Sequence, residues 1–291
     1  MAERGLPEKN AVRRAFGRAA AVYDRHAVLQ REVGARLAQH LDPIRLAPRT
    51  VIDLGCGTGE AFAELGRRFP AAGLVGVDLA PPMLRQARAR TPAWKRLVRA
   101  RSPALVCADA ERLPLAPGIA QLAWSNLTLQ WCDPESVFAE VARVLEVGGL
   151  FMFSTFGPDT LKELRAAFAA VDDYEHVNPF VDMHDLGDAL VRVGLAEPVM
   201  EMEVLTLEYA SVEAVARELK AIGARNVLPG RPRGLSGRGR WQRMVAAYER
   251  TRREGVLPAT YEVIYGHAWK VAPRKVADGR QVIDFRPRGA R

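Results

Sequence analysis

The chain has 291 residues, of which 48% are hydrophobic and 26% charged, a balance typical of a globular protein with a buried core. No apolar run approaches the roughly 20 residues that span a bilayer, and the polar N-terminus lacks the apolar core of a secretory signal. The cysteines Cys56, Cys107 and Cys132 have no paired spacing, which predicts buried thiols in a reducing compartment. We therefore expect a cytoplasmic protein with no membrane span.

Positive charge is concentrated towards the C-terminus. The formal net charge is +8, and residues 217–291 hold 18 Lys or Arg against 6 Asp or Glu, so the earlier part of the chain is slightly acidic. Such a segment can attract nucleic acid, an anionic membrane or an acidic protein, or its arginines can simply be solvated. The composition leaves these alternatives open.

Helices and strands are predicted in alternation along the first half of the chain. Residues 8–40 carry apolar side chains at helical spacing, which predicts one or two amphipathic helices. Strands are then predicted at 49–55, 72–80, 103–110, 119–128 and 150–156, with helices at 58–70, 81–90 and 133–149. The last helix is predicted to have Asp133 as its N-cap, Pro134 at its first position and Gly148 as its end.

The second half reads as further helices with two late strands. The helices are predicted at 159–171, 183–193, 211–222 and 240–253, the strands at 199–208 and 260–269, and a mobile Gly/Pro/Arg loop at 229–240. Apolar strands that alternate with helices favour a mostly parallel sheet covered on both faces. We therefore predict a single α/β domain with a doubly wound, seven-stranded sheet.

The segment "DLGCGTG" at 53–59 predicts a ligand-binding loop after the first strand. Glycine allows close approach of the backbone and positive φ angles. The spacing is GxGxG, which matches neither the GxxxxGK[ST] phosphate loop nor the GxGxxG dinucleotide loop. Asp78 ends the second strand, where a carboxylate can accept hydrogen bonds from ribose hydroxyls.

The glycine loop, Asp78 and "ADAERLPL" at 108–115 together resemble the class I S-adenosylmethionine-dependent methyltransferases. The resemblance implies a Rossmann-like fold with S-adenosylmethionine as cofactor. It implies that Gly55, Gly57 and Gly59 wrap the methionine part, that Asp78 holds the ribose and that Asp109 faces the adenine amino group. Asp53 would order the loop and help to hold the ammonium group, and Met83 would pack on the adenine. Further cofactor contacts are implied for Cys56, Leu79, Ala110, Asn126 and Gln130.

Longer stretches resemble one family, the malonyl-acyl-carrier-protein O-methyltransferases that begin pimeloyl synthesis for biotin. They are "AFGRAAAVYDRHAVLQREV", "WSNLTLQWCDP", "FSTFGPDTLKELR", "HVNPFVDMHDLGDALVRVGL", "LKAIGARNVLPGR" and "YEVIYGHAW". The resemblance implies methylation of a malonyl thioester carried by acyl carrier protein. The same stretches also resemble a complex I assembly factor that hydroxylates an arginine, which leaves a second function open. Base methylation of nucleic acid is not expected, because the [DN]PP[YF] motif is absent after the fourth strand.

This resemblance divides the single domain, 1–291, into a helical lid at 1–47, a cofactor-binding core at 48–156 and substrate-side helices with the last strands at 157–291. Tyr23 would lie on the lid with its hydroxyl near the transferred methyl, although a core tyrosine is an alternative. Arg231 is the first choice, and Arg225 the second, for binding the substrate carboxylate.

The remaining expectations concern metals and partners. The histidines show no tight metal-ligand spacing, although "HVNPFVDMHD" can be drawn as a metal cluster, and no metal site is predicted. Neither nucleic acid nor a membrane is expected as a partner. An acidic carrier protein would meet arginines 13, 14, 18 and 25 near the lid, or those at 225–243. The oligomeric state is not predicted.

Overall fold

The computed structural model describes residues 5–90, 102–231 and 237–272. Three helices precede the first strand: α1 (Lys9–Ala19), α2 (Tyr23–His26) and α3 (Val28–Gln39). The prediction of one or two helices was therefore wrong. The chain leaves the helical path at 20–22, and again at Ala27, where ψ is +45°. These breaks let α1 turn away from α3 and lie beside the glycine loop.

The core of the described chain alternates strands with helices. Its elements are β1 (Thr50–Leu54), α4 (Ala61–Arg68), β2 (Gly73–Asp78), α5 (Pro81–Arg90), β3 (Ala104–Cys107), β4 (Ala120–Asn126), α6 (Pro134–Val144) and β5 (Leu145–Phe156). After these follow α7 (Lys162–Ala169), α8 (Met183–Arg192), β6 (Leu195–Tyr209), α9 (Val212–Ala221), α10 (Arg238–Glu249) and β7 (Leu257–Lys270). No helix in the described ranges is long and apolar enough to cross a membrane.

The strands form one seven-stranded sheet in the order β3-β2-β1-β4-β5-β7-β6. Strands β1 to β5 run parallel, and β7 is antiparallel to both β5 and β6. The predicted doubly wound, mostly parallel, seven-stranded fold is therefore confirmed. The strand order reverses between β1 and β4, and the carboxyl ends of strands at such a switch point are where ligands bind in open α/β sheets.

Apolar side chains are buried on both faces of the sheet, as a parallel sheet requires. On one face Phe138 of α6 packs against Phe151 and Phe153 of β5, with ring centroids 5.8 and 5.7 Å apart. On the other face Leu37 of α3 and Tyr248 of α10 are fully buried. Burying one such side chain stabilises the fold by about 2 kcal/mol. The N-terminal helices are thereby anchored on the sheet.

The segment at 133–149 differs from its prediction at one end. The side chain of Asp133 accepts a hydrogen bond from the backbone N–H of Ser136 at 3.2 Å, which confirms the N-cap. The helix nevertheless ends at Val144 instead of Gly148. Leu145 adopts an extended conformation and pairs with Ala120 of β4, so β5 begins there. Pairing with a neighbouring strand outweighs the local helical pattern at these residues.

Two other expectations need correction. Cys107 is exposed, not buried, because β3 is the edge strand of the sheet and both of its ends face solvent. Of the loop predicted at 229–240, residues 238–240 belong to α10, and residues 232–236 lie outside the described residues.

Candidate active site

The glycine loop leaves β1 and turns directly beneath the end of β2. The backbone N–H groups of Gly55 and Cys56 donate to the carbonyl of Val77 at 2.8 and 3.0 Å. Gly55 has φ +69°, and a Cβ at this position would lie 2.1 Å from Oγ1 of Thr128. The loop therefore needs glycine here for both its backbone angle and its packing.

The other two glycines of the loop have different roles. Gly57 has φ +53°, and a Cβ built on it meets no atom within 4 Å, so its backbone borders open space. Gly59 has φ +77°, and its Cβ would lie 2.7 Å from the ring of Phe62 and 3.2 Å from Ala87. Gly57 thus leaves room for a ligand, whereas Gly59 permits close packing of α4 and α5 and does not line the cavity.

A cavity of about 690 Å³, its open mouth included, lies between the glycine loop and α1; we call it the glycine-loop cavity. This volume is within the range of small-molecule sites. Nine of the predicted site residues line it: Tyr23, Gly55, Gly57, Asp78, Leu79, Met83, Asp109, Ala110 and Asn126. Their first and last members are separated by more than 100 positions in sequence. The fold therefore gathers most of the predicted set at one place.

Asp78 organises the loop as well as the cavity. Its Oδ2 accepts a hydrogen bond from the N–H of Gly57 at 3.0 Å, and its Oδ1 accepts one from the N–H of Ala80 at 2.7 Å. Burial raises the pKa of Asp78 to about 6, and the two backbone hydrogen bonds limit the rise. The side chain is thus held at the end of β2, where it can accept hydroxyl hydrogen bonds.

Asp53 is a buried carboxylate next to the cavity. Its side chain is 4% exposed and borders a recess of about 490 Å³ beneath the glycine loop, with Cys56 and Gly57. Burial, and then the charge of Asp78, raise the pKa of Asp53 to about 8. Its carboxylate makes no hydrogen bond within the described ranges. A buried carboxylate without a partner is costly unless a donor reaches it.

Asp109 is contacted by a lysine that the sequence did not single out. Nζ of Lys9, the first residue of α1, lies 3.1 Å from Oδ1 of Asp109 and 2.5 Å from Oε1 of Glu111. Asp109, Glu111 and Cys132 form the one group of potential metal ligands in the described part of the chain. In the structure, the ammonium of Lys9 lies beside the two carboxylates of this group.

A second cavity of about 740 Å³ lies between α1, α2, α9 and the segments that follow β4 and β5; we call it the lid cavity. Phe16, Tyr23, Leu127 and Trp131 line both this cavity and the glycine-loop cavity. We call these four residues the partition. The rings of Phe16 and Trp131 meet edge to face with centroids 5.2 Å apart, and the centroids of Phe16 and Tyr23 are 6.4 Å apart. The two cavities are therefore neighbours, separated by three aromatic side chains and one leucine.

Tyr23 also borders the recess beside Asp53, so it lies where all three spaces meet. Burial, and then the carboxylates of Asp78 and Asp24, raise the pKa of Tyr23, which stays neutral at physiological pH. With Phe16, it packs against a small buried cluster of Ala20, Ala80 and Met83 that is separate from the two larger clusters of the described residues. Tyr23 is therefore not part of the main core, and its role at the transferred methyl stays a prediction.

Two predicted residues lie elsewhere than expected. Gln130 lines the lid cavity and not the glycine-loop cavity, and its Nε2 donates to the carbonyl of Leu127 at 2.7 Å. Arg231 lines neither cavity: its guanidinium donates to Oε2 of Glu8 at 2.9 Å and to the carbonyl of Leu228 at 2.6 Å. Arg225, the second choice, does line the lid cavity.

The segment drawn as a possible metal cluster does not assemble one. His176 lies 2.8 Å from Asp172, and His184 lies 2.8 Å from Asp182. The two histidines belong to no common group of potential ligands within the described ranges. Each is instead paired with a carboxylate nearby in sequence.

Comparisons with known proteins agree with this geometry. Residues 52–153 match a protein family described as "Methyltransferase domain". The malonyl-[acyl-carrier protein] O-methyltransferase of Laribacter hongkongensis is 57% identical over 99% of both chains, and that of Gallionella capsiferriformans is 51% identical over 95% of this chain and 96% of its own. The chain belongs to the malonyl-[acyl-carrier protein] O-methyltransferase family. The YcgJ protein from Bacillus subtilis has the same fold, with a TM-score of 0.57 at 14% identity over 83% of this chain and 99% of its own.

Membership of the O-methyltransferase family makes the protein a methyltransferase with S-adenosylmethionine as cofactor. The residues present fit this cofactor. The open space at Gly57 leaves room for the ligand against backbone. The carboxylate of Asp53, which has no hydrogen-bond partner among the described residues, suits an ammonium group. Asp78 and Asp109 offer acceptors for ribose hydroxyls and for an amino group. Aromatic rings at the partition suit a sulfonium cation.

Among the residues that line the glycine-loop cavity, the sequence did not single out Lys9, Phe16 or Thr128. Phe16 is one of the apolar side chains at helical spacing in residues 8–40, a pattern that does not indicate a ligand site. Lys9 and Thr128 carry no local signal, because their partners Asp109 and Gly55 are distant in sequence. Pairs of this kind become visible only when the chain is folded.

Proposed function

We propose that this protein transfers a methyl group from S-adenosylmethionine to the free carboxylate of a malonyl thioester carried by acyl carrier protein. The product is the methyl ester that primes pimeloyl synthesis for biotin. The observation that carries the proposal is the partition, at which a cavity suited to the cofactor meets a second cavity of similar size. The full-length similarity to malonyl-[acyl-carrier protein] O-methyltransferases supports the same substrate.

The proposed reaction needs no general base. A malonyl carboxylate has a reference pKa near 4 and is therefore already ionised at neutral pH. S-Adenosylmethionine supplies a methyl group bonded to a sulfonium sulfur. A carboxylate oxygen forms the new bond to the methyl carbon while the carbon–sulfur bond breaks and its electron pair goes to sulfur, so no proton moves. The protein is left to align the reactants and exclude water, which can lower the barrier by several kcal/mol.

The partition residues are suited to that task. Phe16, Tyr23 and Trp131 present ring surfaces to both cavities and keep the junction apolar. Removing water there leaves the attacking carboxylate poorly solvated, while the rings attract the positive sulfonium by cation–π contact. Tyr23 is neutral at physiological pH and therefore adds no second negative charge beside the substrate carboxylate.

Arg225 is better situated than Arg231 to bind the substrate. It is the one lysine or arginine among the described residues that line the lid cavity, and no carboxylate in the described ranges pairs with it. Arg231 is occupied by Glu8. A guanidinium binds a carboxyl or carbonyl oxygen in a fixed orientation, so we assign the substrate contact to Arg225.

An acidic carrier protein would dock on the basic side chains beside the lid cavity. Arg13, Arg14, Arg18 and Arg25 are all exposed on α1 and α2, and α1 contains no acidic residue. Helix α9 packs against α2 and adds the exposed Arg217 and Lys220. We call this surface the basic rim. Its positive charge should accelerate association with an acidic carrier protein, and the affinity should fall as the salt concentration rises.

The central experiment is incubation with cofactor and malonyl carrier protein, followed by mass spectrometry. We expect a gain of one methyl group on the malonyl carboxylate. Acetyl carrier protein, which has no free carboxylate, should stay unmodified and serves as the control. Absence of ester under conditions where the cofactor binds would refute the proposed substrate.

Two sets of variants test the substrate contacts. Arg225→Ala should raise KM for the malonyl thioester by on the order of a hundredfold and leave cofactor affinity unchanged. Arg231→Ala should leave both values unchanged. On the basic rim, Arg14→Glu should lower kcat/KM at low salt, with a smaller effect at high salt. Arg45→Glu is the matched control, because Arg45 is exposed before β1, at the opposite end of that strand from the glycine loop. Equal effects of rim and control variants would exclude this docking surface.

The alternative of an assembly factor that hydroxylates an arginine has less support. The full-length relatives are O-methyltransferases, and no described residue favours hydroxylation over methyl transfer. A cytoplasmic location belongs to the same proposal and is supported by three unpaired cysteines.

A further inference from the structure

Lys9 links the first helix to the far end of the glycine-loop cavity. Its ammonium contacts Asp109 and Glu111, which follow β3, and the three side chains are each between 23% and 30% exposed. Lys9 and Asp109 both line the cavity, although they are 100 positions apart in sequence. The contact therefore fixes α1 over the loop that follows β3.

The two oxygens of Asp109 are not equivalent. Oδ1 accepts hydrogen bonds from Nζ of Lys9 and from the backbone N–H of Glu111, both at 3.1 Å. Oδ2 makes no contact of this kind within the described ranges. Because Lys9 and the backbone of Glu111 hold the same oxygen, the carboxylate is oriented, and Oδ2 is left as an acceptor for a donor bound in the cavity.

Lys9 also compensates the charge of a crowded site. The carboxylates of Asp109 and Glu111 both lie against its ammonium. Without that cation, the two neighbouring carboxylates would repel each other, and the side chain of Asp109 would turn away. A rotated Asp109 could no longer present an oxygen at a fixed place.

We propose that Lys9 is a positioning residue for cofactor selection: it holds Asp109 Oδ1 so that Oδ2 receives the adenine amino group, and the same contact closes α1 over that end of the cavity. The inference rests on the cofactor part of the proposed function. Ligands with an amino group at this position are accepted. Inosyl analogues, which carry a carbonyl oxygen there, are disfavoured because two acceptors face each other.

The test is calorimetric binding of S-adenosylhomocysteine and S-inosylhomocysteine to the ligand-free protein, with no malonyl substrate present. The wild type should prefer the adenosyl ligand by at least on the order of tenfold, the effect of one charge-assisted hydrogen bond. Lys9→Met should reduce this preference to within about threefold. Introduced alone, Asp109→Asn should strongly lower the affinity for the adenosyl ligand. Introduced into a protein that already carries Lys9→Met, it should lower that affinity only weakly, because the two residues act as a unit.

Lys162→Met is the matched control, since Lys162, the first residue of α7, is paired with Asp159 and lines neither the glycine-loop cavity nor the lid cavity. It should leave both affinities unchanged. If Lys9→Met lowers both affinities by the same factor, or changes neither, the positioning role is refuted and Lys9 only anchors the helix. Should Lys9→Met fail to fold by circular dichroism, Lys9→Gln gives the same comparison. A wild type that binds neither ligand would instead refute the cofactor assignment.

Discussion

Replacing Asp53 by asparagine should stabilise the ligand-free protein while weakening cofactor binding. Asp53 is 4% exposed, and burial and the charge of Asp78 raise its pKa to about 8. In the unfolded chain the pKa of an aspartate is about 4. The ionised side chain is thus destabilised in the folded, ligand-free protein.

The sign of the pH dependence follows from this difference. Between pH 4 and pH 8 the folded protein binds more protons at Asp53 than the unfolded chain does, so stability falls as pH rises through this window. From pH 4 to pH 7 is about three pH units. At about 1.4 kcal/mol per pH unit, the ionisation of Asp53 lowers the free energy of unfolding at pH 7 by at most about 4 kcal/mol. Asparagine does not ionise in this range. The gain in unfolding free energy of Asp53→Asn over the wild type should therefore grow with pH and level off above pH 8.

The assay is urea unfolding of the ligand-free protein at pH 5, 6, 7 and 8, followed by circular dichroism. The difference in unfolding free energy between Asp53→Asn and the wild type should increase steadily over this range. Asp188→Asn is the control, because Asp188 is exposed on α8 and away from the site. Its difference from the wild type should not change with pH.

A flat difference for Asp53→Asn from pH 5 to pH 8 would refute the argument, since it would mean that Asp53 does not titrate in this window. The second measurement adds S-adenosylmethionine at pH 7. The cofactor should raise the melting temperature of the wild type more than that of the variant, because an ionised Asp53 can pair with the ammonium group. An equal rise in both proteins would exclude that contact.

Three further outcomes follow from the site. Gly57→Ala and Gly118→Ala each place a methyl group in open space at a residue with positive φ. Each should lower the free energy of unfolding in urea by about 1 kcal/mol. Only Gly57→Ala should also weaken cofactor binding in calorimetry. Tyr23→Ala should reduce kcat by on the order of tenfold to a hundredfold because the partition opens, while Tyr23→Phe keeps the ring and should lose less than about tenfold; equal losses would make the hydroxyl essential. In a thiol assay only Cys107 should react in the native protein, because burial raises the pKa of both other cysteines, and all three should react after denaturation.

Much of the fold was predictable because it depends on local pattern. Apolar runs punctuated by Gly and Pro identified the strands, and the glycine loop together with Asp78 indicated the ligand site at the carboxyl ends of β1 and β2. The N-cap at Asp133 was likewise readable, since a cap needs only residues three positions apart. The start of β5 at Leu145 was not, because pairing with Ala120 decides it.

The α/β fold, the glycine loop and, through extended resemblance, the family could all be predicted from the order of residues alone. Which side chains share a cavity became known from the folded chain: Lys9 reaches Asp109, Arg231 is occupied by Glu8, and Gln130 lies on the other side of the partition. The two kinds of feature differ because backbone periodicity and turn chemistry act over a few residues. Ion pairs and cavity walls, in contrast, join residues that approach each other only after the helices have packed on the sheet.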